Sequence, residues 1–319
     1  MKAVPLGKSD IQISSVIMGT WQAGKDMWSG IEDGASIRAI QTAVEEGMNT
    51  IDTAEAYGNG HSERIVGKAI EGIRDRAVLA TKVFPNHFKY DQVLNACHKS
   101  LKNLNTDYID LYQLHWPSGS FGTKVVPIEE TMKAMNKLKD QGKIRAIGVS
   151  NFTSEQMEEA AAFGTIDALQ PPYSLFWRHI EKREMPYCAE NKVTVLSYSS
   201  MAQGILTGKF GNQPRFEKGD HREKNRLFKP ENYQRIVNAL NALQEIADQH
   251  EITLGQLALA WVISHNGVCA IAGARNEDQV KQNARAMDVA LSEDDMTQMD
   301  RIGRSVTDHL DDNPVLWEF

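Results

Sequence analysis

Eight short runs of β-branched and apolar residues alternate with longer amphipathic segments, and this alternation constrains the fold of the chain more than any other feature. Apolar residues in the longer segments recur three and four positions apart, which predicts helices. Strands that alternate with helices form parallel sheets, and eight such units favour a closed (β/α)8 TIM barrel over an open doubly wound sheet, which usually has fewer strands. The predicted strands are Val16–Trp21, Thr50–Ala54, Val78–Val83, Ile109–Trp116, Ala146–Ser150, Ala168–Gln170, Val193–Ser199 and Cys269–Ala274. The predicted helices are Ser36–Glu46, Ser62–Ile70, Gln92–Leu104, Ile128–Gln141, Ser154–Phe163 and Lys182–Asn191.

Three further segments predict additions to this barrel, which we expect to form a single domain over residues 1–319. Ala3–Leu6 and Ile11–Ser14 flank a short turn and predict an N-terminal β-hairpin that plugs the bottom of the barrel. Pro171 and Pro172 are expected to end the sixth strand, because proline donates no hydrogen bond to a central ladder. The polar stretch Lys209–Lys229 is too long for a simple connector and predicts a lid or binding loop.

The composition of the chain argues against several classes of protein. Apolar residues make up 41% and charged residues 24%, as in a globular protein with a sizeable core. The net charge of −7 gives no reason to expect binding to nucleic acid or to an anionic membrane. No run approaches the ~18 apolar residues of a membrane span, and the polar N-terminus does not resemble a signal peptide. Cys97, Cys188 and Cys269 lack a metal-binding spacing, so we expect buried free thiols in a cytoplasmic protein.

Polar residues stand at the carboxyl end of nearly every predicted strand. In a barrel these ends share one rim, which is where the active sites of such barrels are found. The residues are Asp52, Lys82, His115, Ser150, Asn151, Gln170, Tyr198, Ser199 and Gly273–Arg275. Because strands buried on both faces are almost wholly apolar, charged side chains at these places need partners, and the nearest candidates are one another.

Taken singly, these residues have ordinary explanations. Asp52 could cap a turn, Lys82 could extend to solvent, and His115 could be a structural histidine. Tyr57, five residues after Asp52, could be an unremarkable loop aromatic. Together the four suit the protonation of an alkoxide, because a lysine paired with aspartate should lower the pKa of the tyrosine and the histidine can orient the oxygen. The set includes neither an activated Ser or Cys nucleophile nor a cluster of metal ligands.

Several motifs follow one another along the chain in a specific order. They are Asp52-Thr53, Tyr57-Gly58, Ser62-Glu63, Ala80-Thr81-Lys82, Gln113-Leu114-His115-Trp116, Gly148-Val149-Ser150-Asn151-Phe152 and Leu206-Thr207-Gly208-Lys209. From about Val4 to Arg304 the chain resembles the aldo-keto reductase family, and within it the bacterial general-stress and inositol-utilisation branch. The resemblance implies reduction of small aldehydes or ketones with NADPH. Tyr57 would be the general acid, Lys82 and Asp52 would tune it, and His115 would orient the carbonyl.

The same resemblance implies a site for each part of the cofactor and for the substrate. The nicotinamide would contact Ser150, Asn151, Gln170 and Tyr198. The pyrophosphate would lie along Ser199, Met201, Gln203, Gly204 and Lys209. The adenosine half would meet Gly273, Arg275, Gln279 and Asn283. The substrate would lie among Trp21, Tyr57, His115 and Trp116.

Arg275 favours NADPH over NADH, because a guanidinium forms a planar fork of donors suited to the additional phosphate. A solvated surface charge is the alternative explanation. Gly273 would let backbone approach the phosphate, and the helix predicted to start near Glu277 would direct its positive end there. Ser200 departs from the proline of many relatives, and Trp28 could either join the substrate pocket or pack in the core.

Two other functions remain open at this stage. A phosphate-binding isomerase or hydrolase would share the barrel, since fold does not fix function, but it would need a carboxylate base or metal ligands in place of Tyr57 and Lys82. A cofactor-binding regulatory subunit or sensor with little turnover would share the whole family pattern.

Overall fold

The computed structural model describes residues 3–311 except 27, 29, 213 and 217–220, together with residue 313. An antiparallel pair of strands precedes eight parallel strands, which pair in chain order until the last pairs with the first and closes a barrel. The strands are β1 (Ala3–Pro5), β2 (Gln12–Ser14), β3 (Val16–Gly19), β4 (Thr50–Asp52), β5 (Val78–Val83), β6 (Ile109–Leu114), β7 (Ile144–Ser150), β8 (Ala168–Gln170), β9 (Thr194–Ser197) and β10 (Val268–Gly273). The predicted (β/α)8 barrel is confirmed.

Helices cover the outside of this barrel. They are α1 (Asp33–Glu45), α2 (His61–Ala69), α3 (Tyr90–Leu104), α4 (Ile128–Asp140), α5 (Ser154–Ala161), α6 (Glu184–Asn191), α7 (Pro230–Gln249), α8 (Leu254–Ile263), α9 (Glu277–Arg285) and α10 (Glu293–Thr307). The six helices predicted from apolar spacing all occur, with ends that differ by up to three residues. Helices α7, α8 and α10 lie outside the predicted segments.

Several strands are shorter than the apolar runs predicted. β6 ends at Leu114 and β9 at Ser197, so His115 and Tyr198 lie in the loops that follow. Likewise β3 ends at Gly19, and Trp21 begins a short 3₁₀ helix over Trp21–Gly24.

The predicted N-terminal hairpin is present and covers the amino-terminal mouth of the barrel. β1 and β2 pair with Val4 opposite Ile13, and Leu6, Ile11 and Ile13 pack against the residues that fill the barrel interior. Gly7 permits this closure. It has a φ of 59°, and a Cβ there would lie 2.4 Å from the carbonyl oxygen of Asp167. No side chain fits between the turn and the barrel.

The apolar core has two layers, one inside the barrel and one between the strands and the helices. The inner layer uses small side chains, such as Ala80, Ala146 and Ala168, beside larger ones from the hairpin. The outer layer is larger and includes Tyr112 and Trp261, both fully buried. This arrangement fills the lower barrel with apolar atoms and leaves polar residues at the carboxyl-terminal rim.

The predicted long loop over 209–229 has ordered structure where it is described. Short 3₁₀ helices occur at His221–Lys224 and Arg226–Phe228. Phe210, Phe216 and Phe228 form an aromatic cluster with centroid distances of 4.6 to 5.7 Å. The loop therefore has a small apolar core of its own, which holds it over the rim.

Among the described residues, no helix is both long and apolar enough to cross a membrane. The same residues contain no group of three His, Cys, Asp or Glu side chains able to hold a metal ion. The three cysteines are free and buried, and burial raises the pKa of each of these thiols to about 12.

Candidate active site

Lys82 lies at the centre of the rim and is fully buried. Its ammonium donates to Oδ1 of Asp52 at 2.6 Å, to the carbonyl oxygen of Thr53 at 2.8 Å and to the hydroxyl of Tyr57 at 3.3 Å. An ammonium has three hydrogen-bond donors, so each has an acceptor. Such complete pairing is what makes a buried charge tolerable.

Strand register explains why these side chains meet. Asp52 on β4 is opposite Ala80 on β5, and Lys82 lies two residues further along β5, hence on the same face. Lys82 in turn is opposite Gln113 on β6. The side chains of Asp52, Lys82 and Gln113 therefore point into the barrel mouth together, as the parity of the sequence predicts for the first two.

The second oxygen of the Asp52 carboxylate contacts two carboxamides. Oδ2 accepts from Nε2 of Gln170 at 2.8 Å and from Nε2 of Gln113 at 3.4 Å. Both glutamines are buried. Gln113 was not predicted to belong to the site. Its place two residues before His115, on the same face of the predicted strand, is the signal in the sequence that could have identified it.

Tyr57 lies in the loop between β4 and α2, and close backbone contact fixes that loop. Gly58 has a φ of 60°, and a Cβ there would lie 2.2 Å from the carbonyl oxygen of Gly24. The amide of Gly58 also donates to Oδ2 of Asp26 at 3.0 Å. The ring of Tyr57 has centroid distances of 6.4 Å to Trp21 and 5.7 Å to His115. The tyrosine hydroxyl is thereby held beside Lys82.

The predicted lowering of the Tyr57 pKa is wrong for this structure. The protein atoms packed around the side chain raise its pKa, and they outweigh the ammonium of Lys82, which acts in the opposite direction. The charge of Asp52 adds to the rise. Sequence alone gives the charged neighbours but not the extent of desolvation, which is the larger effect here. Tyr57 is therefore protonated at neutral pH.

His115 is buried and uncharged. Burial lowers its pKa well below the ordinary value, and the charge of Lys82 lowers it further. Its ring makes edge contacts with Tyr57 and with Phe84, both at 5.7 Å between centroids. Nδ1 is buried and has no hydrogen-bond partner among the described residues. A neutral imidazole has one N–H, which can donate to an oxygen placed beside Tyr57.

The four residues predicted at the nicotinamide lie together on one side of this centre. Ser150 donates its hydroxyl to the carbonyl oxygen of Gln170 at 2.8 Å, and Asn151 donates to the carbonyl oxygen of His115 at 3.1 Å. Tyr198 donates its hydroxyl to Oδ1 of Asn151 at 2.8 Å. Asn151 has a φ of 62°, an uncommon conformation that directs its amide back toward His115. A continuous hydrogen-bond chain thus joins Tyr198 to the backbone of His115.

The stretch predicted at the pyrophosphate has an unusual backbone. Ser199, Gln203 and Gly204 all have positive φ values, of 54°, 55° and 94°. A Cβ on Gly204 would lie 2.8 Å from Nζ of Lys209, so the glycine lets the ammonium lie close over the turn. Nε2 of Gln203 is buried without a partner among the described residues. Met201, also predicted here, is partly buried at the start of this turn.

Ser200, noted in the sequence as a departure from the family pattern, makes internal contacts. Its hydroxyl lies 2.8 Å from that of Ser197 and donates to the carbonyl oxygen of Ser197 at 2.9 Å. The hydroxyl fastens the end of β9 instead of pointing out of the rim.

The residues predicted at the adenosine half lie at the end of β10 and the start of α9. Asn276 caps α9, and Oε1 of Gln279 accepts from the amide of Arg275 at 2.8 Å. Nδ2 of Asn283 donates to the carbonyl oxygen of Gly273 at 3.4 Å. The four predicted residues are thus brought together around one helix N-terminus, where backbone N–H groups favour an anion.

Two residues beside this cluster were not predicted to belong to it. Oε1 of Gln22 is buried without a partner among the described residues, and the Gln22 side chain lies 3.2 Å from where a Cβ on Gly273 would be. The guanidinium of Arg275 lies 5.3 Å from the centroid of the Trp28 ring, and that of Arg222 lies 5.9 Å from it. Trp28 therefore lies between Arg275, predicted at the adenosine half, and Trp21, predicted at the substrate, whose ring centroid is 5.4 Å from its own.

Together these segments fit an extended dinucleotide. Buried polar atoms are normally hydrogen-bonded, yet the segments predicted at the pyrophosphate and at the adenosine half each border one that has no partner among the described residues. These atoms are Nε2 of Gln203 and Oε1 of Gln22. The residues predicted at the nicotinamide offer amide donors and acceptors, and those predicted at the phosphates include cationic side chains.

Aromatic side chains surround the mouth beside Tyr57 and His115. Of those predicted, Trp21 is adjacent to Tyr57, and Trp116 contacts Phe121 with centroids 5.2 Å apart. Phe121 also stacks on Phe84 at 5.4 Å. Phe84 and Phe121 were not predicted, because they belong to loops whose course the periodicity of the chain does not reveal.

Comparisons with known proteins agree with this geometry. The sequence profile of the Aldo/keto reductase family matches residues 15–304. Aldo-keto reductase YhdN of Bacillus subtilis is 38% identical, over 95% of this chain and 93% of its own. Methylglyoxal reductase YeaE of Escherichia coli is 38% identical over 92% of each chain. The NADH-specific methylglyoxal reductase of Escherichia coli is 33% identical over 94% of this chain and 97% of its own.

Solved structures show the same relationship. The glycerol dehydrogenase of Gluconobacter oxydans superposes with a TM-score of 0.89 at 32% identity and covers 97% of both chains. An aldo-keto reductase of Klebsiella pneumoniae in complex with NADPH superposes with a TM-score of 0.77 at 32% identity, over 100% of this chain and 99% of its own. With the profile spanning the whole barrel, the chain belongs to the aldo/keto reductase family.

Proposed function

We propose that this aldo-keto reductase reduces small aldehydes and ketones with NADPH and uses Tyr57 as the proton donor. The observation that carries the proposal is the triad at the barrel mouth, in which Lys82 bridges Asp52 at 2.6 Å and the hydroxyl of Tyr57 at 3.3 Å. A protonated tyrosine beside a buried ammonium is suited to protonating an alkoxide as it forms.

Each side chain of the triad and its neighbour has a distinct task. When bound, NADPH would supply the hydride that the carbonyl carbon gains. The carbonyl oxygen gains the Tyr57 proton, and the ammonium of Lys82 stabilises the tyrosinate that is left. The neutral ring of His115 donates to the same oxygen and orients it, without competing as an acid.

Cofactor binding is assigned to the rim that continues from this centre. Ser150, Asn151 and Gln170 would hold the nicotinamide carboxamide, and Tyr198 would cover the ring. The pyrophosphate would meet the positive-φ turn at Ser199, Met201, Gln203 and Gly204, with Lys209 above it. Gly273, Arg275, Gln279 and Asn283 would hold the adenosine half, with Arg275 on the additional phosphate of NADPH.

The substrates are proposed to be small reactive carbonyls such as methylglyoxal. Two relatives are named for reduction of this dicarbonyl. The pocket wall is aromatic, with Trp21, Trp116 and Phe121 beside the polar pair Tyr57 and His115. Such a wall suits a compact, uncharged carbonyl compound better than an anionic one.

The direct test is consumption of NADPH, followed by its absorbance, with methylglyoxal and a broad panel of aldehydes and ketones. We expect turnover with several of them and slower turnover with NADH. A complete lack of consumption across the panel would contradict the proposal.

The proton donor is tested with Tyr57→Phe, which removes only the hydroxyl. We expect kcat to fall roughly 10²–10⁴-fold while NADPH binding is retained. Tyr108→Phe is a control, because Tyr108 contacts Arg74 far from the rim. Full activity in Tyr57→Phe would overturn the assigned mechanism.

A regulatory subunit or sensor with little turnover is the second candidate. Such a protein would bind NADPH with similar affinity, yet it would fail to consume it with any carbonyl of the panel. The contact of the Lys82 ammonium with the Tyr57 hydroxyl favours the enzyme, because a tyrosine paired with a cation serves proton transfer and is not needed to hold a dinucleotide.

A further inference from the structure

Gln113 is a fully buried polar residue to which the proposed mechanism gives no role. It lies on β6 opposite Lys82, with its side chain in the barrel mouth. Its Nε2 donates to Oδ2 of Asp52 at 3.4 Å, and its Oε1 accepts from Nε2 of Gln170 at 3.5 Å. A residue at this place contacts both the ion pair and a residue of the proposed cofactor site.

The neighbouring strand makes room for this side chain. Gly148 on β7 is opposite Gln113, and a Cβ on Gly148 would lie 2.9 Å from Cγ of Gln113. Real Cβ atoms essentially never approach so closely, so any other residue at 148 would displace the glutamine. Gly148 thereby leaves the space that the Gln113 side chain occupies.

The chemistry of Asp52 fixes how both carboxamides are oriented. An ionised carboxylate can only accept hydrogen bonds, so both glutamines must present their NH₂ groups to Oδ2. Gln113 then directs its carbonyl oxygen toward the NH₂ of Gln170. With its NH₂ group engaged by Asp52 and Gln113, Gln170 has a side-chain carbonyl oxygen with no partner among the described residues. That oxygen is an acceptor for an amide N–H.

We propose that Gln113 is a positioning residue that holds the Gln170 carboxamide in the orientation that accepts a hydrogen bond from the nicotinamide carboxamide. The proposal rests on the proposed function, since it takes NADPH as the ligand. Through Asp52, the same contact joins the cofactor end of the rim to the Lys82–Tyr57 pair. Gln113 thereby affects both cofactor affinity and the ionisation of the proton donor.

Two substitutions separate this role from simple packing. Gln113→Met keeps the length of the side chain and removes the amide. Gln113→Glu keeps the shape and replaces a donor by an acceptor beside the carboxylate of Asp52. Leu111→Met is the matched control, because Leu111 lies two residues earlier on β6, borders the same space beside Gly148 and has no polar side-chain atom.

The first measurement is NADPH affinity, by fluorescence titration of each folded variant. We expect Gln113→Met to raise Kd roughly three- to tenfold, as for loss of one hydrogen bond, and Gln113→Glu to raise it further. Leu111→Met should leave Kd unchanged. The pH profile of kcat should shift in both Gln113 variants, because the partner of Asp52 is altered, which a purely structural change would not produce.

Gln170→Met provides a double-mutant cycle. If Gln113 acts through Gln170, adding Gln113→Met to Gln170→Met has no further effect on Kd. Additive effects would overturn the proposal, and so would a Kd and pH profile of Gln113→Met within twofold of the wild type. If Gln113→Met fails to fold, Gln113→Glu replaces it in the measurement of Kd and of the pH profile. Gln113→Leu then replaces it in the double-mutant cycle with Gln170→Met.

Failure of the proposed function has a different signature. In that case wild-type protein itself would not bind NADPH, or Tyr57→Phe would retain full activity. If the wild type binds and consumes NADPH and the Gln113 variants have the same Kd and pH profile as the wild type, only the role of Gln113 is overturned.

Discussion

The two ends of the rim are built in different ways. At the catalytic end Asp52, Lys82 and Gln113 are buried side chains of three neighbouring strands, and barrel register alone brings them together. At the proposed adenosine end the ring of Trp28 lies 5.3 Å from the guanidinium of Arg275 and 5.9 Å from that of Arg222, and these residues come from three separate connecting segments. Substitutions at the first end should therefore disturb both chemistry and folding, whereas those at the second should change only cofactor choice.

The largest effect is expected from Lys82→Met. It removes the only ammonium in contact with Asp52 among the described ion pairs and leaves that carboxylate buried. We expect kcat to fall roughly 10²–10⁴-fold. The free energy of unfolding should fall by about 3–5 kcal/mol.

Urea unfolding and steady-state kinetics measure the two effects. Lys99→Met is the control, because Lys99 contacts Asn59 at the exposed surface. A Lys82 variant that lost activity but kept full stability would break the proposed link between chemistry and folding at this end.

An intermediate effect is expected from Arg275→Met at the other end. The KM for NADPH should rise roughly 10- to 100-fold, as for loss of a charge-assisted contact, while the KM for NADH changes little. Unfolding should be unaffected, since the side chain is exposed. Arg38→Met is the control, because Arg38 on α1 is also an exposed arginine, pairs with Glu277 of α9 and has no assigned role in cofactor binding. Equal losses with both cofactors would refute the assignment of Arg275 to the additional phosphate.

A smaller effect is expected from Trp28→Leu. Loss of the stacking on Arg275 should reduce the NADPH over NADH preference about two- to fivefold, because exposed cation–π contacts are worth little. Phe121→Leu, on the substrate side of the mouth, should leave this ratio unchanged. A greater effect of Trp28→Leu than of Arg275→Met would reverse the proposed order of importance.

The smallest effect is expected from pH. Burial raises the pKa of Tyr57 above its ordinary value and lowers that of His115 below its own, so neither group should titrate between about pH 6 and 9. Because reduction uses protonated Tyr57, kcat should be flat there and fall only at higher pH. Alcohol oxidation, which uses the ionised form, should rise with pH instead. An inflection near neutrality that disappears in His115→Gln would contradict the neutral assignment of that ring.

The contrast between the two ends also explains what the sequence could predict. Alternation and side-chain parity predict the barrel and place Asp52 and Lys82 on one rim, because strand geometry has a fixed period. The position of Phe121 depends on a φ of 57° within a loop, and that of Trp28 depends on arginines from distant segments. Neither has a periodic signal. The direction in which the Tyr57 pKa shifts depends on how densely protein atoms pack around the side chain, and the identity of its charged neighbours does not reveal that density.

The N-terminal hairpin has a consequence for proton supply. Leu6, Ile11 and Ile13 fill the lower barrel with apolar atoms, and Gly7 lies against Asp167. We therefore expect a proton that leaves Tyr57 to be replaced through the mouth where the alcohol departs. We expect Tyr57 to regain its proton only after the product leaves, because product release admits the solvent that supplies this proton.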